Sequence, residues 1–249
     1  MAADRELDAL IRRVDEDRWL ASRFAPPDVR AKLIALYAVN YEIARTAEVV
    51  REPPLGAIRL QWWRDALDEM AAAGPPRDHP ALRELARVYP SAAAQLSDVA
   101  EAHQADFDAA PFATWTDLER YVYRTAGEVM RLAVDVAAPD PEERLLELAW
   151  PAAHAWGYTG ILRAMPFWES RGRSALPRED GARDALIERA AYAFDAARRM
   201  GAVPAPAFPA VGYVALVPGY LRALRGTRGE PALLWRQMKL VLAAAAGRF

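Results

Sequence analysis

The chain has 249 residues, enough to bury one large hydrophobic core, and 53% of them are apolar. Its formal net charge is only −2, with acidic and basic residues interspersed, so the composition gives no support for nucleic-acid binding. There is no cysteine, which excludes disulfide bonds and thiolate metal sites.

The N-terminal residues Met-Ala-Ala-Asp-Arg-Glu-Leu-Asp carry acids and no long apolar run, so we expect neither a secretory signal nor a transit peptide. No stretch of about 20 residues is both apolar and free of charge, so we expect no membrane-spanning helix. Of the 32 basic residues only Lys32 and Lys239 are lysine, which is typical of GC-rich bacterial genomes. We therefore expect a bacterial, cytoplasmic protein, with peripheral contact at the inner membrane as the alternative.

The predicted elements of the first half are helices separated by proline and glycine. The spacing of Leu7, Leu10, Ile11 and Val14 predicts a half-buried first helix. Prolines and glycines then divide the sequence into further helices, at about 28–50, 55–73, 80–88 and 92–108.

The second half continues the helical pattern. Thr116 and Glu119 have the spacing of a capping box, which predicts a helix to about residue 137. Asp140-Pro141 opens a long helix that must kink at Pro151 and Pro166. A loop at 171–181 follows, then helices at about 182–200, 210–225 and 230–246, with 203–209 as a proline-rich loop. The pattern predicts an all-α protein with one domain over residues 1–249.

Residues 156–177 carry the most informative motif, Trp-Gly-Tyr-Thr-Gly-Ile-Leu-Arg-Ala-Met-Pro-Phe-Trp-Glu-Ser-Arg-Gly-Arg-Ser-Ala-Leu-Pro. Together with residues 24–37 and 121–127, they resemble the squalene/phytoene synthase family in order and spacing. The resemblance implies an isoprenoid-synthase-type helical bundle around a central cavity. It also implies head-to-head joining of two prenyl diphosphates, farnesyl or geranylgeranyl, with Mg²⁺ neutralising the diphosphate that leaves.

The metal-binding aspartates of that family are missing from the matching positions. These positions hold Ala44 and Glu48 in the first signature, and Ala164 and Trp168 in the second. Arg45 places a cation beside the first of them. We therefore expect a pseudoenzyme that needs no cofactor, with Mg²⁺ required only if the chain is an active enzyme.

Three glutamates are the remaining candidates for a displaced metal site: Glu42, Glu48 and Glu169. Glu169 lies one residue from the second matching position, about 100° around the helix from the face that a metal would need. The alternative for Glu42 is a pair with a basic neighbour. Whether the protein is an enzyme stays open here.

One branch of the family lacks the same acids and contains a mitochondrial assembly factor for respiratory complex I. The runs Ala38–Ala44 and Ile58–Arg64 look like the corresponding stretches of that branch. This resemblance implies a protein partner, either a respiratory complex subunit or another assembly factor.

Basic and aromatic residues supply the other candidates. Four arginines are candidates for binding a phosphate or a partner's carboxylate, because a guanidinium can make two parallel hydrogen bonds to such a group. The alternative is that they hold the helix and its loop in place. These arginines are Arg45, Arg163, Arg171 and Arg173. A second set either lines an apolar cavity or belongs to the ordinary core: Tyr37, Tyr41, Tyr121, Gly127, Trp156 and Gly160.

Three functions remain open from the sequence. The first is a non-catalytic binding protein like the assembly factor. The second is a Mg²⁺-dependent prenyltransferase that uses a displaced metal site. The third is a protein that binds a lipophilic small molecule without chemistry, which requires an open apolar pocket.

Overall fold

The computed structural model describes residues 2–108, 112–227 and 229–249, with side chains from Arg5 onward. Within these ranges the regular structure is helical and contains no β-strand. The prediction of an all-α fold is confirmed. The chain divides into two compact units, Met1–Asp108 and Ala109–Phe249, and each is described by itself. A single domain over residues 1–249 stays a prediction.

The described residues of the first unit form the helices α1 (Ala2–Val14), α2 (Glu16–Ser22), α3 (Pro27–Ala44), α4 (Thr46–Val49), α5 (Pro53–Ala71), α6 (Pro80–Val88) and α7 (Ala93–Ala102). Short 3₁₀ segments, Pro90–Ala92 and His103–Phe107, flank α7. Proline occupies the first position of α3, α5 and α6, where its missing N–H costs no helical hydrogen bond. These prolines are why the sequence locates the helix starts.

The core of the first unit is built around α3. Residues 33–39 of this helix are all buried, as expected of a helix that is apolar on every side. Helices α1 and α6 pack against α3, and α5 packs against α7.

The helix predicted to run to residue 50 ends instead at Ala44, and α4 is a separate short turn. The hydroxyl of Thr46 donates to the carbonyl oxygen of Glu42 at 3.3 Å. Such back-bonding by threonine bends a helix. It accompanies the break at Arg45, which the sequence did not indicate.

The described residues of the second unit form α8 (Trp115–Val122), α9 (Glu128–Ala137), α10 (Glu143–Glu169), α11 (Ala182–Arg199), α12 (Phe208–Val211), α13 (Val217–Leu224) and α14 (Leu233–Ala246). A π-helical segment, Tyr123–Gly127, joins α8 to α9. Helix α10 packs along α11, contains both Pro151 and Pro166, and forms the centre of this unit.

Two helix boundaries differ from the sequence prediction. The capping box is formed by Thr114 and Asp117, not by Thr116 and Glu119. Thr114 Oγ1 accepts from the N–H of Asp117, and the Asp117 carboxylate accepts from the N–H of Thr114. The proline-rich stretch 203–209, predicted as a loop, is partly helical, with a 3₁₀ turn at Ala205–Ala207 and the start of α12.

One stretch of the described chain, Ala205–Leu224, is long and apolar enough to cross a membrane by length and composition. Most of it, 78%, is buried inside the protein, as in the core helices of many proteins. The stretch contains Arg222, so it does not contradict the expectation from the sequence that no helix spans a membrane.

Candidate functional site

Glu42, near the end of α3, is a buried acid held by two arginines. Its Oε1 lies 3.1 Å from Arg45 Nη1, and its Oε2 lies 3.9 Å from Arg59 Nη2. The Arg45 guanidinium also stacks over the ring of Tyr41, at 5.2 Å from its centroid. A buried carboxylate requires such compensation, because desolvation of an unpaired charge is costly. The structure therefore places Glu42 in the paired arrangement that the sequence left as an alternative.

His79 extends this cluster from the start of α6. Its Nδ1 accepts from the N–H of Ala81 at 3.2 Å, which caps the helix, and its ring packs on Trp63 with centroids 4.8 Å apart. Burial lowers the pKa of His79 below its ordinary value; the Glu42 carboxylate opposes this shift, and the Arg59 guanidinium adds to it. Sequence reasoning missed both Arg59 and His79, since the contacts come from other helices.

The two first-signature positions lie on either side of the break at Arg45. Ala44 is half-buried and is the last residue of α3, while Glu48 is exposed in α4. Only one carboxylate is therefore present at this pair of positions. Arg45 stands between them, with its charge directed to Glu42.

The second-signature positions lie at the end of α10, where aromatic rings and arginines pack together. Phe167 and Trp168 meet edge to face with centroids 4.9 Å apart. The guanidinium of Arg171 lies 4.1 Å from the Phe167 ring centroid, and that of Arg173 lies 5.9 Å from the Trp168 ring centroid. Residues 167–173 thus form an aromatic–arginine surface, which we call the 167–173 turn.

The backbone explains why this turn follows α10. The N–H of Arg173 donates to the carbonyl of Trp168 at 3.0 Å, and Gly172 adopts a φ of +69°. Glycine takes this left-handed conformation without strain and so ends the helix sharply. Ala164 is half-buried and has no carboxylate. Glu169 is exposed on the last turn of α10, so its carboxylate joins no cluster of acids.

Arg163 lies one turn before Phe167 on α10. Its guanidinium lies 4.1 Å from the ring centroid of Tyr220, and its Nε lies 3.7 Å from the Glu230 carboxylate. The Trp156 ring centroid lies 6.3 Å from that of Tyr220 and 4.8 Å from that of Tyr213. Arg163 and Trp156 are thus brought together through Tyr220.

The remaining residues proposed to line a cavity have varied surroundings. Tyr37 is fully buried beneath the Arg18 guanidinium, and Tyr121 packs against Phe112 with centroids 5.0 Å apart. At Gly127 an added Cβ would lie 3.2 Å from the Trp150 ring, whereas at Gly160 it would meet nothing within 4 Å. That these residues line one cavity stays a prediction.

A groove of about 590 Å³ lies between α10 and α11. The sequence did not predict it. It is lined by Pro151, His154, Tyr158 and Tyr192 among others. Burial, helped by the Glu119 carboxylate and opposed by the Arg189 guanidinium, raises the pKa of Tyr158 to about 12. Aromatic residues at 150, 154 and 158, four apart on one helix, were the signal that could have located the groove.

No metal cluster is visible in the part of the chain that the structure describes: nowhere do three His, Cys, Asp or Glu side chains meet in a group that could hold a metal ion. Mg²⁺ prefers oxygen ligands, above all carboxylates. Of the four positions Ala44, Glu48, Ala164 and Trp168, only Glu48 carries a carboxylate, so these positions do not fit Mg²⁺.

The sequence of this chain is similar to that of known proteins. The family model described as squalene/phytoene synthase matches residues 11–241. The chain is 26% identical to complex I assembly factor 6 of Mus musculus over 175 residues, 68% of this chain and 51% of that protein. It is 24% identical to the Homo sapiens factor over the same shares. The chain spans about half the length of the curated relatives it matches.

Solved structures show the same fold. A dehydrosqualene synthase crystallised with a ligand superimposes with a TM-score of 0.80, at 17% identity, covering 98% of this chain and 96% of that one. A squalene synthase from Alicyclobacillus acidocaldarius gives a TM-score of 0.72 at 19% identity, covering 93% and 96%. The isoprenoid-synthase-type fold and the family predicted from the sequence are confirmed, and the matched curated relatives are complex I assembly factors, as the resemblance implied. The chain belongs to the squalene/phytoene synthase family.

Proposed function

We propose that this protein works by binding a protein partner, in the manner of an assembly factor, and does not transfer prenyl groups. The observation that carries the proposal is the state of the acids at the two signatures. Glu42 is already compensated by Arg45 and Arg59, and the second signature has Ala164 and Trp168 where the family has aspartates. A diphosphate needs bridging cations, and these need carboxylate anchors.

The 167–173 turn supports a protein partner. Arginine and aromatic side chains are the types enriched at the energetic centres of protein interfaces. Phe167 is 38% exposed although it is large and apolar, and the Arg171 guanidinium stacks on it. The ring and the guanidinium together form a mixed apolar and basic surface of the kind that protein interfaces use.

The names of the relatives support a partner in the assembly of a respiratory complex. The matched proteins of mouse, cattle, rat, human and fruit fly are named as assembly factors of NADH dehydrogenase (ubiquinone) complex I, or as a homologue of one. We infer that the partner is a respiratory complex subunit or another assembly factor. We further propose a cytoplasmic location with access to the inner membrane, where such a complex is built.

The first experiment asks whether the protein is an enzyme. Purified protein is incubated with Mg²⁺ and either farnesyl or geranylgeranyl diphosphate, and products are analysed by mass spectrometry beside an active dehydrosqualene synthase. We expect no condensed product. Turnover that is lost in Glu48→Ala would replace the proposal with the prenyltransferase that uses Glu42, Glu48 and Glu169.

The second experiment seeks the partner. A photoreactive amino acid is placed at position 167 in the full chain, and cross-linked proteins are identified from cells. Position 146 is the matched control, because Leu146 lies on the same helix and is 43% exposed. We expect a specific cross-link from position 167 that is absent at 146 and is weakened by Arg171→Ala. Equal patterns at both positions would contradict the assigned surface.

The groove beside Tyr158 favours the lipophilic-ligand alternative enough to test it. Native mass spectrometry of the protein purified from cells reports any retained small molecule. Under the proposed function we expect none in stoichiometric amount. A retained apolar molecule that is lost in Ala193→Trp, which fills the groove, would support the alternative instead.

A further inference from the structure

Helix α14 buries one side and leaves the opposite side apolar and exposed. Leu240 and Ala243 are 1% and 3% exposed, so they attach the helix to the second unit. Four large apolar residues are 55–68% exposed, and at 100° per residue they lie on the other side. We call them the outer stripe: Leu234, Met238, Val241 and Leu242. An apolar surface of this kind on a single helix marks an interaction site.

A basic groove adjoins the outer stripe. It has a volume of about 610 Å³, and Leu242 belongs to both features. Four cations line it, from the end of α11, from α14 and from the residues after α14: Arg198, Arg199, Lys239 and Arg248. No aspartate or glutamate is among its described lining residues.

The charges of the basic groove are largely uncompensated. Asp195 lies 3.8 Å from Arg198 Nε, and Arg199 stacks over the ring of Tyr192 at 5.9 Å. Lys239 and Arg248 form no ion pair with any residue that the structure describes. The groove is therefore suited to an anion, in contrast to the overall net charge of −2.

We propose that α14 docks the protein on an anionic phospholipid surface. The outer stripe enters the boundary between headgroups and acyl chains, and the basic groove holds lipid phosphates. An amphipathic helix with flanking cations binds membranes through both contributions. A nucleic acid or a free phosphate could bind the basic groove, but neither would cover the apolar side chains of the outer stripe. A two-fold dimer through the stripe would bring the cations of two copies toward each other.

Vesicle flotation with the full chain tests the proposal. Vesicles of phosphatidylglycerol mixed with phosphatidylcholine are compared with phosphatidylcholine alone, at low and high salt. Each cation near an anionic surface raises the partition coefficient about fivefold, so the double variant Lys239→Gln/Arg248→Gln is expected to lose about 25-fold. High salt is expected to weaken binding of the parent protein.

The outer stripe is tested by Leu234→Gln/Leu242→Gln, with Met238→Gln as an independent variant. The matched control is Leu55→Gln/Ile58→Gln on α5, where the two side chains are 54% and 66% exposed. We expect the stripe variants to bind the vesicles at least tenfold more weakly than the parent protein. The control variant should bind as strongly as the parent protein. Circular dichroism verifies that each variant is folded.

Three results would overturn the proposal. One is failure of the parent protein to float with anionic vesicles. Another is equal flotation of the stripe variants and the control. The third is a dimer in analytical ultracentrifugation that the stripe variants abolish without any vesicle binding, since this assigns the surface to a second copy of the chain.

Discussion

Arg45 Nη1 lies 3.1 Å from Oε1 of Glu42, so a buried acid of the first signature is neutralised from a position three residues along the chain. The pair closes the last turn of α3 and gives the buried Glu42 carboxylate a charged partner. If the proposed function holds, this carboxylate is committed to arginine and not to a metal ion. The Glu42–Arg45 contact should therefore stabilise the folded protein, and it also bears on whether Glu42 can bind a metal ion.

We expect Arg45→Ala to lower the free energy of unfolding by about 1–2 kcal/mol, because it leaves the buried Glu42 carboxylate with only the more distant Arg59. Arg45→Lys should lose less, since it keeps the charge. Adding Glu42→Gln to Arg45→Ala should recover most of the loss. Urea denaturation measures all three, and an unchanged midpoint for Arg45→Ala would show that the pair contributes nothing.

The stability of the first unit should fall as the solution is acidified from pH 7.5 toward 5.5. The pKa of His79 is lowered by burial, so the folded state favours the neutral ring and the unfolded chain binds the proton more readily. This contribution is fully present above the ordinary histidine value of about 6.5 and is lost as the pH falls through the lowered value.

The matched variant for this pH dependence is His79→Asn, which keeps a side-chain acceptor for the N–H of Ala81 but does not titrate. We expect the difference in unfolding free energy between parent and variant to change with pH in this window. A constant difference would remove His79 as its source. His79→Ala should cost about 1 kcal/mol through the lost cap.

Two glycines on α10 should respond in opposite directions to alanine. At Gly157 the added Cβ would lie 2.5 Å from Val122 Cγ1, a β-branched side chain with little freedom to move. We expect Gly157→Ala to destabilise by about 1–3 kcal/mol through overpacking. Gly160→Ala meets nothing within 4 Å and should stabilise the helix by about 0.5–1 kcal/mol. Thermal unfolding gives both signs, and two changes of equal sign would refute the packing argument.

Trp115 should hold the loop after α10 in place. Its Nε1–H donates to Glu179 Oε1 at 2.8 Å, while Arg189 stacks on its ring at 4.4 Å. We expect Trp115→Phe to change global stability by less than about 1 kcal/mol but to speed tryptic cleavage after Arg173 or Arg178. Glu179→Gln keeps an acceptor and is the control. Cleavage rates that match the parent would show that this hydrogen bond does not order the loop.

The sequence predicted the helices whose starts are marked by proline, because a fixed φ acts locally and needs no tertiary contact. It placed the capping box at Thr116 because Glu119 fits the usual spacing. The protein instead uses Thr114 with Asp117, an equally spaced pair two residues earlier. The short helix α4 and the π-helical segment carry no such local signal, whereas α2 begins after Asp15, an N-cap whose side chain accepts from the N–H of Arg18 and which the sequence prediction did not use.

In the candidate site, too, local contacts could be predicted from the sequence, and contacts between helices could not. The Glu42–Arg45 pair was foreseeable, since residues three apart on a helix are neighbours. Arg59 and His79 joined it from other helices, and no periodicity in one segment reports such contacts. The arginines at 163, 171 and 173 were found by resemblance, but their aromatic partners depend on how α10 meets α13 and on the turn at Gly172.

The π-helical segment Tyr123–Gly127 has a consequence for how this lineage can change. A π turn accommodates one more residue than an α turn, so the segment sets the rotation of all of α9. Losing a single residue there would make the helix regular but would turn α9 by about 100°. Buried side chains such as Val129 and Ala133 would then face water. One-residue deletions at this point should therefore survive in evolution only together with a rewritten hydrophobic pattern downstream.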